Sequence, residues 1–154
     1  MKGTYTIILE CGSECYCRIG SLGRARLRKG HYLYTGSALG LGSTSLERRL
    51  ERHAKRSKKK RWHIDYLTSN PVCRVKGAVY IASSRRLECK INVSISKGLN
   101  LPPLLPGIGA SDCNCEGHLL GPDVRSSKKV LLKRVASIYS RVGGTHSSTE
   151  VWLA

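Results

Sequence analysis

The segment Thr4–Glu10 constrains the fold of this chain more than any other part of its sequence. Its seven residues, TYTIILE, are mostly β-branched or apolar, and no glycine or proline interrupts them. Such a run predicts a buried strand. Shorter segments with strand character are set apart by turn residues; they are Cys15–Ile19, Arg24–Leu27, His31–Thr35 and Val72–Ala82. Most of these segments come early, so the chain begins as a series of short strands.

Three segments carry helical signals instead. Apolar residues recur every four positions along LERRLERHAKRSKK, and Ser45 precedes this stretch at the position of an N-cap. WHIDYL at Trp62–Leu67 predicts a second short helix, with its tryptophan in the core. Ser127–Arg141 predicts a terminal helix with an apolar stripe. We predict a loop for residues 98–111, which hold three prolines and three glycines, and only a Ser/Thr-rich tail after Gly144.

The segment Leu87–Ile95 fits two templates. Its sequence LECKINVSI alternates between apolar and polar residues, which is the strand pattern, while Leu87, Ile91 and Ile95 recur at the helical spacing of four. Because the alternation has no break, the pattern taken alone favours a strand.

The charge of the chain is strongly one-sided. Lys and Arg number 27 against 10 Asp and Glu, which gives a formal net charge of +17. A surplus of this size on a small domain predicts a polyanionic partner, nucleic acid before any other. Fourteen of the basic residues lie between Arg18 and Arg61, against two Glu. Candidate contacts to nucleic acid are Lys29, Arg52, Lys55, Arg56, Lys58, Lys59, Lys60, Arg61 and His63. The alternative is a solvated surface that serves solubility.

Several protein classes are not expected. No run approaches the ~18 apolar residues that a membrane span needs, and the N-terminal segment lacks the long apolar region and cleavage site of a signal peptide. We therefore expect no membrane association and a cytoplasmic location. The seven cysteines then suggest buried thiols, metal ligands or redox chemistry before disulfides. Cys11, Cys15 and Cys17 are expected to be packing residues.

Several short motifs follow one another along the chain and are informative when taken together. Gly3-Thr-Tyr5 and Tyr34-Thr-Gly36 lie on predicted strands, and the helix that follows carries Arg49 and His53. Farther along come WHIDYL, LEC and GIGASDCNCEGHL. Together these segments resemble the GIY-YIG nuclease superfamily, in particular an archaeal-type branch whose members also occur joined to endonuclease III repair enzymes. The resemblance covers roughly residues 3–120.

The resemblance implies a fold and an activity. The fold is a small α+β one, a mostly antiparallel central sheet flanked by helices over residues 1–121. Residues 122–154 lie outside the resemblance, and from their own pattern we expect an extra C-terminal helix and a tail there. Active members hydrolyse phosphodiesters with one divalent metal, Mg²⁺ or Mn²⁺. The residues that match the catalytic positions are Tyr5, Tyr34, Arg49, His53 and Glu88. Since Glu88 matches a metal-binding glutamate on a helix, the resemblance favours a helix for Leu87–Ile95.

These residue types suit phosphodiester hydrolysis. Arg49 offers a fork of donors to phosphate oxygens, and His53 lies four residues later on the same helix face. Tyr5 would serve as a base only if a neighbouring arginine and the metal lower its pKa from the ordinary value of about 10, with His53 as a proton relay. Glu88 is a hard oxygen ligand for Mg²⁺ or Mn²⁺. An asparagine usually completes the site in the family; the candidates are Asn92, Asn100 and Asn114.

A second constellation lies in the downstream motif. Cys113, Cys115 and His118 offer three soft ligands within six residues, and Cys89 could be a fourth. This set fits zinc. The other interpretation is a packed loop in which the cysteines act as small apolar residues and the histidine is hydrogen-bonded.

Three functions are therefore compatible with the sequence. The first is a metal-dependent endonuclease that acts on nucleic acid, DNA rather than RNA, in repair. The second is a nucleic-acid-binding module that kept the fold without turnover. The third is a zinc-stabilised interaction protein. His63 and Asp65 do not form a catalytic dyad in any of these, because positions i and i+2 of a helix do not face each other.

Overall fold

The computed structural model describes residues 1–108, 115, 117–144 and 149–154, apart from the side chain of Ser43. Within them the protein has an α+β fold with a five-stranded antiparallel sheet, a separate two-stranded hairpin and four α-helices. The strands are β1 Gly3–Cys11, β2 Cys15–Arg18, β3 Arg24–Leu27, β4 Gly30–Ala38, β5 Cys73–Ala82, β6 Leu119–Asp123 and β7 Thr149–Leu153. The helices are α1 Leu46–Ala54, α2 His63–Thr68, α3 Glu88–Leu99 and α4 Lys128–Gly143. The predicted fold class, a mostly antiparallel sheet flanked by helices, is confirmed.

Strand β1 is the centre of the sheet, whose order is β6-β4-β1-β5-β7. Its side chains alternate between two apolar cores. Ile7 and Leu9 pack on the side of α1, α2 and the β2–β3 hairpin, while Ile8 packs on the side of α3 and α4. The predicted burial of Thr4–Glu10 is confirmed, because both faces of the strand are covered.

The N-cap predicted at Ser45 is present, and a second serine, Ser127, caps α4. The Ser45 hydroxyl accepts from the backbone N–H of Arg48 at the start of α1. Ser127 does the same for Val130 at the start of α4. Each serine stands just before its helix, where its oxygen satisfies a backbone donor that the helix leaves unpaired. No helix among the described residues is both long and apolar enough to cross a membrane.

The segment with two templates is helical. In α3 the buried residues Ile91, Ile95 and Leu99 follow the spacing of four and cover one face of the sheet. Val93, which would share a face with Ile91 and Ile95 in a strand, is exposed. The strand favoured by the alternation is therefore wrong, and the helix implied by the resemblance is observed.

The last third of the chain adds two strands that the sequence did not predict. Strand β6 carries Gly121 and Pro122 and pairs with β4, and β7 pairs with the edge of β5. Strand β6 crosses the boundary that we predicted at 121/122. Strand β7 thus forms an edge of the same sheet, and α4 packs on one face of that sheet.

The cysteines of the first strands do not all behave as packing thiols. Cys11 and Cys73 lie opposite each other at the ends of β1 and β5 and form a disulfide. This corrects the expectation of a packing thiol at Cys11. The pair is 62 residues apart in sequence, so only the strand register brings it together. Cys17 is buried as expected, and its thiol donates to the Tyr66 carbonyl.

Candidate active site

The two short glycine–tyrosine motifs meet on neighbouring strands. Tyr5 of β1 lies directly opposite Gly36 of β4. A Cβ at position 36 would lie 2.7 Å from the Tyr5 hydroxyl oxygen, and one at Gly3 would collide with the Ile81 carbonyl. Both glycines are therefore required by close approach, and Gly36 provides the space in which the Tyr5 hydroxyl lies.

The Tyr5 hydroxyl is hydrogen-bonded to His53. Its oxygen lies 2.8 Å from Nε2 of the imidazole, and both groups are buried. His53 belongs to the face of α1 that carries Leu46 and Leu50 into the core. The Tyr34 ring stands edge-on to the same imidazole, with ring centroids 6.0 Å apart. The residues Tyr5, Tyr34 and His53 thus form one packed aromatic group.

Burial sets the protonation of this pair. It raises the pKa of Tyr5 to about 12, although the neighbouring Arg49 guanidinium acts in the opposite direction. Burial, with the Lys58 cation behind it, lowers the pKa of His53 to about 3. Both groups are neutral at pH 7. Tyr5 would serve as a base only if its cationic neighbours lowered its pKa; in the structure desolvation outweighs the arginine, so that condition is not met by the protein alone.

Arg49 lies four residues before His53 and faces the same cleft as the tyrosines. One guanidinium nitrogen donates to the Ser37 carbonyl at 2.7 Å. The guanidinium also lies 4.9 Å from the centre of the Trp62 ring. Its Nε is buried and has no hydrogen-bond partner among the described residues. Arg49 is therefore held in place by two contacts and keeps donors for an anionic ligand.

Trp62 forms a wall of this cleft and is not a core residue. It precedes α2 and is 36% exposed, which corrects the predicted core position. Arg52 lies 4.4 Å from the ring centre and pairs with the buried Asp65 through two hydrogen bonds. Asp65 also accepts the backbone N–H groups of Arg61 and Trp62. This network fixes the start of α2 beside the cleft, and His63 and Asp65 form no dyad.

The cleft has a volume of about 550 Å³. It brings four of the five predicted catalytic residues together, and the fifth, His53, lies behind Tyr5. The lining residues are Tyr5, Tyr34, Gly36, Ser37, Leu39, Gly40, Arg49, Arg61, Trp62, His63, Arg86 and Glu88. Three arginines and one carboxylate give the cleft a positive charge, which suits an anionic ligand. The sequence analysis missed Arg86, whose only signal was its place two residues before Glu88.

The predicted nucleic-acid contacts fall into three groups: residues that line the cleft, exposed lysines on the segment leading to it, and four side chains that face elsewhere. Arg61 and His63 line the cleft. Lys55, Lys59 and Lys60 are exposed on the segment that leads to it. The basic run therefore does approach the cleft, through these residues and not as a whole.

The remaining four basic candidates bind other groups of the protein or lie away from the cleft. Arg52 holds Asp65, and Arg56 donates to the carbonyls of Asn70, Pro71 and Cys73. Lys58 donates to the carbonyls of Arg52 and His53 and to Thr68, and burial lowers its pKa to about 8. Lys29 precedes Gly30, which pairs with Cys11 at the other end of β1 from Tyr5. These four side chains do not face the cleft.

Glu88 is the first residue of α3 and supplies the carboxylate of the cleft. Its side chain is 17% exposed and lies 3.8 Å from Arg86. Among the described residues that line the cleft it is the sole carboxylate. Mg²⁺ and Mn²⁺ accept one carboxylate when water and phosphate oxygens complete the shell. The donor set therefore fits a divalent cation held by Glu88 together with a phosphate.

The two described asparagine candidates do not line the cleft. The Asn92 amide donates to the Gly117 carbonyl at 2.9 Å, and the side chain lines a different pocket together with Cys89 and Cys115. Asn100 caps the C-terminus of α3 in a left-handed conformation, at the opposite end of the helix from Glu88. Asn114 lies outside the described residues.

A second group of ligands lies behind Glu88. The ligand atoms of Cys89, Cys115 and His118 all fall within 4.8 Å of one another, a grouping that could hold a metal ion. Cys89, the candidate fourth ligand, belongs to this group, and Cys113 lies outside the described residues. The chain thus has two candidate metal positions of different chemistry, one with a hard oxygen ligand and one with soft sulfur and nitrogen ligands.

Comparison with known proteins places the chain in a family. No curated protein and no solved structure gives a significant match. A family model described as "Domain of unknown function DUF123" matches residues 4–142, from β1 nearly to the end of α4. The matched range includes the whole cleft and the cluster of Cys89, Cys115 and His118. The chain belongs to the DUF123 family.

Proposed function

We propose that this protein is a divalent-metal-dependent nuclease of the GIY-YIG type that hydrolyses phosphodiester bonds in DNA. One observation carries the proposal: Tyr5, Tyr34, Arg49 and Glu88 line a single cationic cleft, and His53 is hydrogen-bonded to Tyr5. These residues come from four separate elements, β1, β4, α1 and α3. Their meeting supports the resemblance on which they were selected.

The arginines of the cleft bind the phosphate. Arg49 is fixed by the Ser37 carbonyl and the Trp62 ring, so its charge is already oriented before substrate arrives. Arg61 and Arg86 add positive charge around it. Guanidinium donors that are positioned in advance stabilise the negative charge that develops on phosphate oxygens in the transition state.

Tyr5 orients the attacking water. The Tyr5 hydroxyl and Nε2 of the neutral His53 share a hydrogen bond. In the tautomer that carries its proton on Nδ1 the hydroxyl is the donor, and its oxygen lone pairs remain available to accept a proton of water in the cleft. The pKa of Tyr5 is raised to about 12 and that of His53 lowered to about 3, so the shared proton stays on the tyrosine. The pair therefore holds the geometry of the water and does not store its proton.

Glu88 would hold the catalytic Mg²⁺ or Mn²⁺, with water and phosphate oxygens completing the shell. When bound, such an ion supplies positive charge that polarises the phosphate and favours ionisation of a coordinated water. The choice of DNA over RNA, and of a role in repair, is supported by the resemblance to the branch that is joined to endonuclease III.

We also propose zinc as the ion of the Cys89, Cys115 and His118 cluster. Sulfur and nitrogen ligands at ~2.3 and ~2.0 Å from a tetrahedral zinc lie about 3.5 Å apart. Nε2 of His118 and Sγ of Cys89 are 3.7 Å apart, close to that separation. Metal analysis of the purified protein is expected to find zinc near one equivalent, lost in Cys115→Ser and kept in Cys15→Ser.

A cleavage screen tests the nuclease proposal. The full chain is incubated with single-stranded, duplex and branched DNA and with RNA, in Mg²⁺, in Mn²⁺ and in chelator. We expect cleavage of at least one DNA form that needs the metal and disappears in Glu88→Gln. Glu51→Gln, an exposed glutamate of α1 outside the cleft, is the matched control. A wild type that binds DNA and cleaves none of these substrates would make the chain a binding module.

A further inference from the structure

His118 lies between the two candidate metal positions. It is 1% exposed and directly precedes β6. One ring nitrogen, Nε2, lies 3.7 Å from Sγ of Cys89, and the other, Nδ1, lies 3.9 Å from Oε2 of Glu88. A single imidazole thus has the thiol cluster on one side and the carboxylate of the cleft on the other.

The backbone around His118 is fixed by three hydrogen bonds. Its N–H donates to the Ile108 carbonyl at 2.7 Å, and its carbonyl accepts from the N–H of Thr35 on β4. The carbonyl of the preceding residue, Gly117, accepts from the Asn92 amide on α3. The imidazole is therefore held between β4 and the first turn of α3.

The first two residues of α3 face different candidate metal positions. Glu88 lines the cleft, and the next residue, Cys89, belongs to the thiol cluster. Successive residues of a helix are rotated by about 100°, so neighbours in sequence face different surroundings. His118 spans the resulting gap.

We propose that the cluster and the cleft form one carboxylate–histidine–metal relay. An imidazole that ligates a metal through Nε2 is neutral and carries its proton on Nδ1. Here Nδ1 lies 3.9 Å from the Glu88 carboxylate, and the relay requires the two groups to close to hydrogen-bond distance when metal is bound. Metal at the cluster would then fix the tautomer of His118 and the orientation of Glu88.

The contact between Glu88 and His118 affects both candidate metal positions. A carboxylate behind a ligating histidine strengthens that ligand, so Glu88 raises the affinity of the cluster for its metal. His118 is in turn a positioning residue for the carboxylate that faces the cleft. This last consequence rests on the proposed nuclease function, whereas the relay itself does not.

A titration with Co²⁺ alone tests the relay without any nucleic acid. The full chain is stripped of metal under conditions that keep the thiols of the cluster reduced, and thiolate-to-cobalt charge-transfer absorption reports binding at the cluster. Loss of an outer partner of a metal-bound histidine typically costs 10–100-fold in metal affinity. We therefore expect Glu88→Gln to weaken Co²⁺ binding at least about tenfold, and Glu51→Gln to leave it unchanged.

Cysteine variants assign the absorption. Cys115→Ser should lose the charge-transfer band, and Cys15→Ser, which replaces a thiol of the β2–β3 hairpin, should keep it. A wild type without this band overturns the proposal, as does a Glu88→Gln variant that is folded by circular dichroism and binds Co²⁺ like the wild type.

The titration also separates this proposal from the nuclease proposal. Cobalt binding that depends on Glu88 in a chain without cleavage activity supports the relay and counts against the nuclease. Cleavage in a chain whose cobalt binding is indifferent to Glu88 supports the nuclease and overturns the relay.

Discussion

The hydroxyl of Tyr5 and Nε2 of His53 are 2.8 Å apart in a site that is closed to solvent on all but the cleft side. Tyr5 reaches this partner because Gly36, opposite it on β4, has no side chain. A strand and a helix that are 48 residues apart in the chain are thereby joined at the wall of a cationic cleft.

Tyr5→Phe removes the hydroxyl and keeps the ring. If the hydroxyl orients the attacking water, the rate of single-turnover cleavage should fall by about 10²-fold, the cost of a reacting group that is misplaced by about 1 Å. DNA affinity, measured by fluorescence anisotropy, should stay the same. Tyr16→Phe, on the exposed face of the β2–β3 hairpin, should change neither quantity. An unaltered cleavage rate in Tyr5→Phe would remove Tyr5 from the mechanism.

The buried His53 should make stability depend on pH. Its pKa is lowered from 6.5 to about 3 in the folded protein, so between these values the unfolded chain binds the additional proton. The free energy of unfolding should therefore fall as the pH decreases below about 6, by up to about 1.4 kcal/mol per pH unit. Urea unfolding at pH 7, 6, 5 and 4 measures this slope. In His53→Gln the slope should be smaller by that amount, and equal slopes in both proteins would contradict the assignment.

Gly36→Ala should disturb the site and the fold together. The added Cβ would lie 2.7 Å from the Tyr5 hydroxyl oxygen, so the Tyr5 ring must shift, and 3.4 Å from the Tyr34 ring, which leaves that side no room to spare. Overpacking of this kind costs about 1–3 kcal/mol, which a thermal unfolding experiment detects, and cleavage should fall with it. Gly12→Ala is the control, because its Cβ would meet only one atom, at 3.8 Å. Equal stability of the two variants would refute the close approach.

The Cys11–Cys73 disulfide should stabilise the fold. It closes a loop of 62 residues, for which the loss of chain entropy in the unfolded state predicts about 4 kcal/mol. The double variant Cys11→Ala, Cys73→Ala should lose most of this in urea unfolding, and its stability should not respond to reductant. Cys15→Ala should lose little. A wild type whose unfolding is the same with and without reductant would contradict the prediction.

Sequence reasoning succeeded where the signal is local. The buried run at Thr4–Glu10 and the N-cap at Ser45 are each decided by residues within one element. The convergence of Tyr5 with His53 was expected from the resemblance alone, because no periodicity relates a strand to a helix 48 residues away.

Sequence reasoning failed where contacts between residues far apart in the chain determine the structure. Helix α3 prevails over its alternating pattern because a face of the sheet has to be covered. Strands β6 and β7 are short, and they form by pairing with β4 and β5, respectively, which are far away in the sequence. Trp62 lies at the cleft beside two arginines and not in the core, a placement that no single-chain pattern indicates.

The most direct test compares two charge changes in the cleft on one DNA substrate. Glu88→Gln removes a negative charge that opposes phosphate unless a cation lies between them. Cleavage in Mg²⁺ should therefore disappear, while DNA binding in chelator stays equal or becomes tighter. Arg49→Ala removes a donor that is oriented toward the phosphate, and loss of one such donor costs about 2.7–4 kcal/mol in the transition state. Both its cleavage and its binding should weaken.

Single-turnover cleavage and metal-free binding, measured side by side for the wild type and these two variants, give the decisive result. The proposed mechanism predicts opposite effects on binding and a common loss of cleavage. Cleavage that survives undiminished in Glu88→Gln would contradict the assignment of Glu88 as the metal ligand and, with it, the central claim.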